Sequence, residues 1–212
     1  MKVTHIFFDL HDVLVDRSVL SVRYAENVGL IMAERYGLTP EVWTEANRRI
    51  NADWYSYYAD LNLSGDDGIT DMWEGLFRTT RALFRLTGTP EPPKEELIAL
   101  SRCMPVLATR NCDALYPEVP QVLKKLDEAG IILGVISHAL TGHIESMLEP
   151  VLRHFKGTIW GADTAERFDK DLQRYQGVVA HEGVPPECLL ALDDKPEALL
   201  HARRAGMRTL QI

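Results

Sequence analysis

Two apolar stretches near opposite ends of the chain each end in aspartate. The first runs from Val3 to Phe8 and leads into Asp9, and the second runs from Leu189 to Leu192 and leads into Asp193 and Asp194. Short apolar runs rich in β-prone residues predict buried strands. In open parallel sheets, functional groups gather where the strands end at their carboxyl termini. The chain is therefore predicted to place acidic groups together at one edge of a sheet.

The remainder of the sheet is predicted from the alternation of strands and helices after Asp113. Apolar strand patterns occur at residues 131–136, 157–160, 189–193 and 207–210. Amphipathic helical patterns lie between them, at residues 117–129, 141–154, 170–182 and 196–205. Such alternation is typical of an α/β fold with a parallel sheet and right-handed crossovers.

Residues 17–110 carry helical patterns and no convincing strand. The first helix ends before Gly37, the second is predicted from Thr39 to about Ala59, the third includes Trp73–Phe84, and the fourth begins at Lys94. Four helices with short connections indicate a small antiparallel bundle. We therefore expect a core built from residues 1–16 and 111–212, with residues 17–110 inserted as a helical bundle above the acidic edge.

Charge and composition exclude several classes of partner. The net charge of −8 makes nucleic acid and anionic membranes poor partners. No apolar run reaches the length of a membrane span, and Asp9 comes too early for a signal peptide. Cys103, Cys112 and Cys188 show no CxxC spacing, so reduced thiols and a cytoplasmic location are expected. Nothing in the sequence indicates an oligomeric state.

The cluster of aspartates predicted at the edge of the sheet would be stabilised by a bound cation. If the first and fourth strands are neighbours, Asp9, Asp12, Asp193 and Asp194 crowd into one small region. Two like charges about 4 Å apart repel by roughly 4 kcal/mol at an effective dielectric constant near 20. Hard oxygen ligands in small number suit Mg²⁺. The residues therefore predict a magnesium site.

Three motifs resemble those of the haloacid dehalogenase-like hydrolases. Phe7-Phe8-Asp9-Leu10-His11-Asp12 is similar to their first motif, hhhDxDGxx, and Val135-Ile136-Ser137-His138 resembles the second. Leu190-Ala191-Leu192-Asp193-Asp194 resembles the fourth, the acidic metal motif. Each motif is weak alone, but their order and spacing are specific. Residues 17–110 resemble the helical type-1 cap of this family.

The resemblance implies a Rossmann-like core with strand order 3-2-1-4-5 and a helical cap. Asp9 would be the nucleophile of a phosphohydrolase and would form an aspartyl-phosphate. Mg²⁺ would be held by Asp9, by the main-chain carbonyl of His11 and by Asp194, with Asp193 bound directly or through water. The substrate would be a small phosphate ester, such as a sugar phosphate or a nucleotide.

The resemblance also implies roles for residues around the nucleophile. Ser137 would donate a hydrogen bond to a phosphate oxygen, and His138 stands beside it where Asn is usual. Lys170 would neutralise the nucleophile and the phosphate, although the Pro that usually follows this lysine is absent. Arg167 and Lys195 are the alternatives for this basic residue.

Two further positions depart from the family pattern. His11 stands where phosphatases of the family have the Asp that acts as acid and base, and Asp12 stands where they have Gly. A histidine near its reference pKa of about 6.5 is roughly one-quarter protonated at neutral pH and could transfer the same proton. A less favoured alternative is that Asp12 supplies the missing carboxylate.

These departures leave open two other hypotheses about the function. The dehalogenase branch of the family also lacks the second Asp, but it usually has Tyr there and no Asp pair in the fourth motif, so Asp193-Asp194 favours a metal enzyme. The rival to an enzyme is a catalytically silent relative that keeps the fold as a binding or regulatory protein. Departures at His11, Asp12 and Lys170 favour that rival, whereas the intact Asp9 opposes it.

Overall fold

A computed structural model describes residues 2–65 and 67–212. Contacts group the chain into two compact units, one of Met1–Arg17 with Ala114–Ile212 and one of Ser18–Asp113. In the ranges that the structure describes, no helix is both long enough and apolar enough to cross a membrane.

The first unit contains a parallel five-stranded sheet. Its strands are β1 His5–Phe8, β2 Ile132–Ile136, β3 Ile159–Trp160, β4 Leu189–Asp193 and β5 Arg208–Gln211. The strand order is β3-β2-β1-β4-β5, and every neighbouring pair is parallel. The predicted Rossmann-like α/β fold and its strand order 3-2-1-4-5 are confirmed. β1 lies between β2 and β4, so the residue after β1 is central at the carboxyl edge.

The described residues also form eight α-helices. They are α1 Arg17–Tyr36, α2 Pro40–Ala52, α3 Gly68–Thr87, α4 Lys94–Thr109, α5 Val119–Glu128, α6 Thr141–Leu148, α7 Leu172–Glu182 and α8 Pro196–Arg204. The second unit consists of α2, α3, α4 and nearly all of α1. Tyr36, Trp43 and Phe84 pack edge-on or tilted in its core, with ring centroids 4.9–6.3 Å apart. Trp43 and Phe84 are fully buried, and burying a large apolar side chain contributes about 1.5–3 kcal/mol.

The sheet is covered by apolar side chains from the sequence patterns that predicted the helices. All four residues of β1 are buried, which explains why this strand has no polar alternation. Phe7 shares a buried cluster with Tyr175 and Val178 of α7 and with Ala202 of α8. These contacts fix α7 against the sheet and so position the loop that precedes it.

Two predicted helices end earlier than expected. The second was predicted to about Ala59 but ends at Ala52, because Asp53 leaves the helical region at φ −120° and accepts a hydrogen bond from Ser56. The helix predicted at 141–154 is α-helical only to Leu148. Pro150 has no N–H to continue the pattern, and Glu149–His154 form a 3₁₀ helix.

Candidate active site

Asp9 directly follows β1 at the carboxyl edge of the sheet. Its main-chain N–H donates to the carbonyl of Leu192 in β4 at 2.8 Å, and only 7% of the residue is exposed. Lys170 Nζ lies 2.9 Å from Asp9 Oδ1, but not in hydrogen-bonding geometry. This buried oxygen therefore has no hydrogen-bond donor among the described residues, and it is available to a cation or an electrophile.

The turn after Asp9 has left-handed backbone at Asp12. Asp12 has φ 62°, and its N–H donates to the carbonyl of Val15 at 2.8 Å. Asp tolerates this region better than most residues, so it can occupy a position where the family pattern has Gly. The Asp12 carboxylate accepts a hydrogen bond from the main-chain N–H of Arg17 at 3.4 Å.

Three carboxylates meet at this edge. Oxygen atoms of Asp9, Asp193 and Asp194 lie within 4.8 Å of one another, and in the described part of the chain they form the one group suited to hold a metal ion. The adjacency of β1 and β4 brings them together. Asp12 is not in this group, and its role as an alternative acid-base carboxylate stays a prediction.

The two neighbouring aspartates have different surroundings. Both oxygens of buried Asp193 are engaged, since Lys170 Nζ lies 2.5 Å from Oδ2 and the N–H of Lys195 donates to Oδ1 at 2.9 Å. Asp194 is less buried, and its Oδ2 lies 2.5 Å from Lys195 Nζ. Asp9 and Asp194 therefore have free oxygen capacity for a metal, and Asp193 is better placed to act through water.

The pKa values of Asp193 and Asp194 are shifted in opposite directions. Burial raises the pKa of Asp193, and the negative charge of Asp9 adds to this effect while Lys170 opposes it. Burial also acts to raise the pKa of Asp194, but the hydrogen bond and charge of Lys195 lower it overall. Lys170 is thus the cation that stabilises the buried charge of Asp193.

The structure brings Lys170, rather than the two alternatives, to Asp9. Lys170 is 4% exposed and contacts both Asp9 and Asp193. Arg167 instead pairs with Asp171 at 3.0 Å, and Lys195 pairs with Asp194. The side chain of Asp171 caps α7 by accepting from the N–H of Arg174 at 3.0 Å. Asp171, the capping residue, occupies the position at which the family pattern has Pro.

His11 lies half-buried in the turn, with its ring centroid 6.3 Å from that of His143. Burial, followed by the positive charge of Arg17, lowers the pKa of His11 to about 4. The expectation of a partly protonated His11 with a pKa near 6.5 is therefore wrong, since the ring is neutral at pH 7. The role of its main-chain carbonyl as a metal ligand stays a prediction.

Ser137 and His138 follow β2 at the same edge. Ser137 is buried, its N–H donates to the carbonyl of Trp160 at 3.0 Å, and its hydroxyl accepts from the N–H of Ala139 at 3.3 Å. The hydroxyl proton is not used in that bond. His138 packs 5.1 Å from the Phe168 ring, and burial, then the charge of Lys170, lowers its pKa to about 3. Contact of either residue with substrate stays a prediction.

Sequence reasoning missed Arg174. This residue of α7 is 4% exposed, and its Nη2 donates to the carbonyls of Ser137 and Trp160, each at 2.6 Å. Arginine is almost never fully buried without a partner. A signal was available, because Arg174 lies one helical turn before Val178 and beside Tyr175, on the face that the pattern predicts to be apolar.

Part of the chain is similar in sequence to a curated protein. A curated relative, enolase-phosphatase E1 from Enterobacter sp. (strain 638), is 36% identical over 103 residues. The alignment covers 46% of this chain and 44% of the relative, so the chain spans less than half of that protein's length.

Solved structures share the whole fold at low identity. A 2-haloacid dehalogenase from Pseudomonas syringae pv. Tomato DC3000 has a TM-score of 0.62 at 18% identity, covering 99% of this chain and 86% of its own. A predicted phosphoglycolate phosphatase from Haemophilus somnus 129pt has a TM-score of 0.59 at 16% identity, covering 100% of this chain and 85% of its own. The family model of haloacid dehalogenase-like hydrolases matches residues 3–206. With this match over almost its entire length, the chain belongs to the haloacid dehalogenase-like hydrolases.

Proposed function

We propose that the protein is a Mg²⁺-dependent phosphohydrolase that cleaves a small phosphate ester through an aspartyl-phosphate at Asp9. One observation carries the proposal: a buried Asp9 oxygen has no hydrogen-bond donor among the residues described, and lies beside Lys170 and two more aspartates. A carboxylate held in this way can act as a nucleophile toward phosphorus. The similarity to an enolase-phosphatase over part of the chain supports the same chemistry.

The residues present fit a magnesium ion. Hard carboxylate oxygens lie within 4.8 Å of one another, and Asp9 Oδ1 is buried with capacity for a further partner. Asp9 and Asp194 would hold the ion directly, with Asp193 acting through water and the carbonyl of His11 completing the protein ligands. When bound, the ion would reduce the repulsion between an anionic nucleophile and an anionic phosphate.

In the first step, an oxygen of Asp9 attacks phosphorus, and the bond between phosphorus and the leaving oxygen breaks. Lys170 neutralises charge on Asp9 and on the transferring group, because its Nζ already lies 2.9 Å from Oδ1. The hydroxyl proton of Ser137 is free to donate to a phosphate oxygen. The leaving oxygen takes up a proton from solvent water as the substrate fragment departs, and the proton that His11 later accepts from the attacking water returns to solvent.

In the second step, water attacks phosphorus and releases phosphate and the Asp9 carboxylate. The attacking water must lose a proton. In this proposal the ring of His11 receives it, in place of the carboxylate that phosphatases of the family have at this position. His11 lies two residues after the nucleophile, in the turn that Asp12 closes.

The Asp193-Asp194 pair favours phosphate chemistry over dehalogenation. Three carboxylates share one buried lysine, Lys170, and one exposed lysine, Lys195. Negative charge therefore exceeds positive charge in the group, which favours recruitment of a cation. The motif comparison points the same way, since the dehalogenase branch usually lacks this pair.

The test is hydrolysis of p-nitrophenyl phosphate by the purified protein with Mg²⁺ and after treatment with EDTA. We expect turnover that falls roughly 100-fold or more without metal, because metal charge stabilisation is worth several kcal/mol, and that returns when Mg²⁺ is restored. Sugar phosphates and nucleotides extend the panel, and 2-chloropropionate tests dehalogenation. Metal-independent chloride release, or no turnover of any phosphate ester, would overturn the proposal.

The role of His11 predicts a specific pair of results. We expect His11→Ala to lower kcat by about 10²–10⁴-fold, the usual worth of general acid-base catalysis, and His11→Asp to retain activity. Lys124→Ala is a control at an exposed position on α5. The measurement is steady-state hydrolysis of the same aryl phosphate. A His11→Ala enzyme as active as Lys124→Ala would exclude His11 from proton transfer.

A further inference from the structure

Arg174 is a buried cation whose described partners are all main-chain groups. Its Nη2 donates to the carbonyls of Ser137 and Trp160 at 2.6 Å each, and its Nη1 donates to those of Phe168 and Arg167 at 3.1 and 3.5 Å. Within residues 2–65 and 67–212, no ion pair involves this guanidinium. Burying a charge without a carboxylate partner is costly, so these four bonds must offset a large desolvation penalty.

The four carbonyls belong to segments that meet at the candidate active site. Ser137 follows β2, Trp160 ends β3, and the carbonyls of Arg167 and Phe168 lie in the loop that leads to Lys170. One side chain therefore links the ends of two strands to this loop. A planar guanidinium suits that task because its N–H groups diverge in a fixed geometry, which a lysine ammonium cannot reproduce.

The chain segments on both sides of Lys170 are hydrogen-bonded to Arg174. Before it, Arg167 and Phe168 accept from the Arg174 side chain, and after it, Asp171 accepts from the Arg174 main-chain N–H at 3.0 Å. The Pro that usually makes this segment rigid is absent from the sequence. Hydrogen bonds to Arg174 thus hold this segment rigid in the absence of a proline ring.

We propose that Arg174 is a positioning residue, which holds Lys170 Nζ against Asp9 and Asp193 and keeps Ser137 at the same edge. The catalytic part of this inference rests on the proposed phosphohydrolase function. A purely structural role would instead make Arg174 important for stability and leave the folded enzyme's kcat unchanged.

The first test compares Arg174→Lys and Arg174→Gln with Val178→Ala. Val178 lies one turn further along α7 in the apolar core, so its truncation lowers stability without removing a bond to the loop. We expect kcat for the aryl phosphate to fall about 10- to 100-fold in both Arg174 variants, with little change in KM, because a small displacement of a charged group suffices for such a loss. Val178→Ala, measured below its Tm, should keep the wild-type kcat.

The second test does not need catalysis. Lys170 is buried, so in the wild type an N-hydroxysuccinimide acetate should acetylate it slowly, while the exposed Lys195 serves as the internal reference. Mass spectrometry should show faster labelling of Lys170 in Arg174→Lys and Arg174→Gln, and unchanged labelling in Val178→Ala. Failure of the proposed function would leave this result unaffected.

Each remaining outcome decides the inference. Arg174 variants that keep both wild-type kcat and slow labelling of Lys170 would overturn it. So would a Val178→Ala enzyme that loses kcat and exposes Lys170 equally, because general loosening of α7 would then explain the effect. If neither Arg174 variant folds, the guanidinium supports the whole unit, and a role specific to the site is rejected.

Discussion

Replacing Asp9 by Asn is expected to lower kcat for an aryl phosphate on the order of 10⁴-fold or more, to the level that binding and charge stabilisation alone provide. The carboxamide has the same shape as the carboxylate, but it is not a nucleophile toward phosphorus. Because Lys170 keeps its contact with Asp193 at 2.5 Å, the variant should fold with nearly wild-type stability. The measurement is single-turnover and steady-state hydrolysis with Mg²⁺ present.

Asp12→Asn is the matched control for this change. Asp12 lies three residues further along the same turn, carries the same functional group, and is absent from the three-carboxylate group. Its activity should stay within a few-fold of wild type. Beryllium fluoride offers a second readout, since it should form an adduct at Asp9 in the wild type and none in Asp9→Asn. Equal activity of the two Asn variants would show that Asp9 is not the nucleophile.

The convergence of Asp9 with Asp193 and Asp194 could be predicted because it depends on short-range patterns. Each aspartate follows an apolar run, and alternation of strands and helices forces parallel strands whose carboxyl ends share one edge. The distance between these carboxylates cannot be predicted from the sequence. That distance results from the register of β1 and β4, in which Phe8 is paired with Leu192.

The remainder of the site depends on how a loop is tied down. Lys170 could not be separated from Arg167 and Lys195 by spacing, because its place follows from the cap at Asp171 and the four carbonyl bonds of Arg174. These are long-range contacts of polar groups, which hydrophobic periodicity does not report. The charge state of His11 was missed for a related reason, since burial is a property of the fold.

Lys170→Met is expected to lower both activity and stability. The loss of stability would show that Lys170 balances the buried negative charges of Asp9 and Asp193. Methionine has a similar length but no charge, so Asp9 and Asp193 would remain buried and close together with no cation between them. Breaking a buried pair in this way costs about 3–5 kcal/mol. We expect that loss in the free energy of unfolding at pH 7, together with a fall in kcat of about 10²–10³-fold, as for loss of an oxyanion-stabilising group.

Lys195→Met is the control, because Lys195 also pairs with an aspartate of the group but its side chain is 58% exposed. An exposed pair of this kind contributes about 0.2–1 kcal/mol. Urea unfolding of both variants, with and without Mg²⁺, separates the two lysines. A Lys170→Met protein no less stable than Lys195→Met would show that the buried lysine does not balance these carboxylates.

The pH dependence of the Lys170→Met effect has a defined sign. Burial and the negative charge of Asp9 raise the pKa of the Asp193 carboxyl in the folded protein, and Lys170→Met removes the positive charge that opposes them. The protonated form of Asp193 carries no penalty, so the destabilisation is absent at low pH and develops as the pH rises through this raised pKa. The difference from wild type should therefore shrink on acidification. Lys170→Met with Asp193→Asn should recover most of the lost stability at pH 7, because one of the two repelling charges is gone.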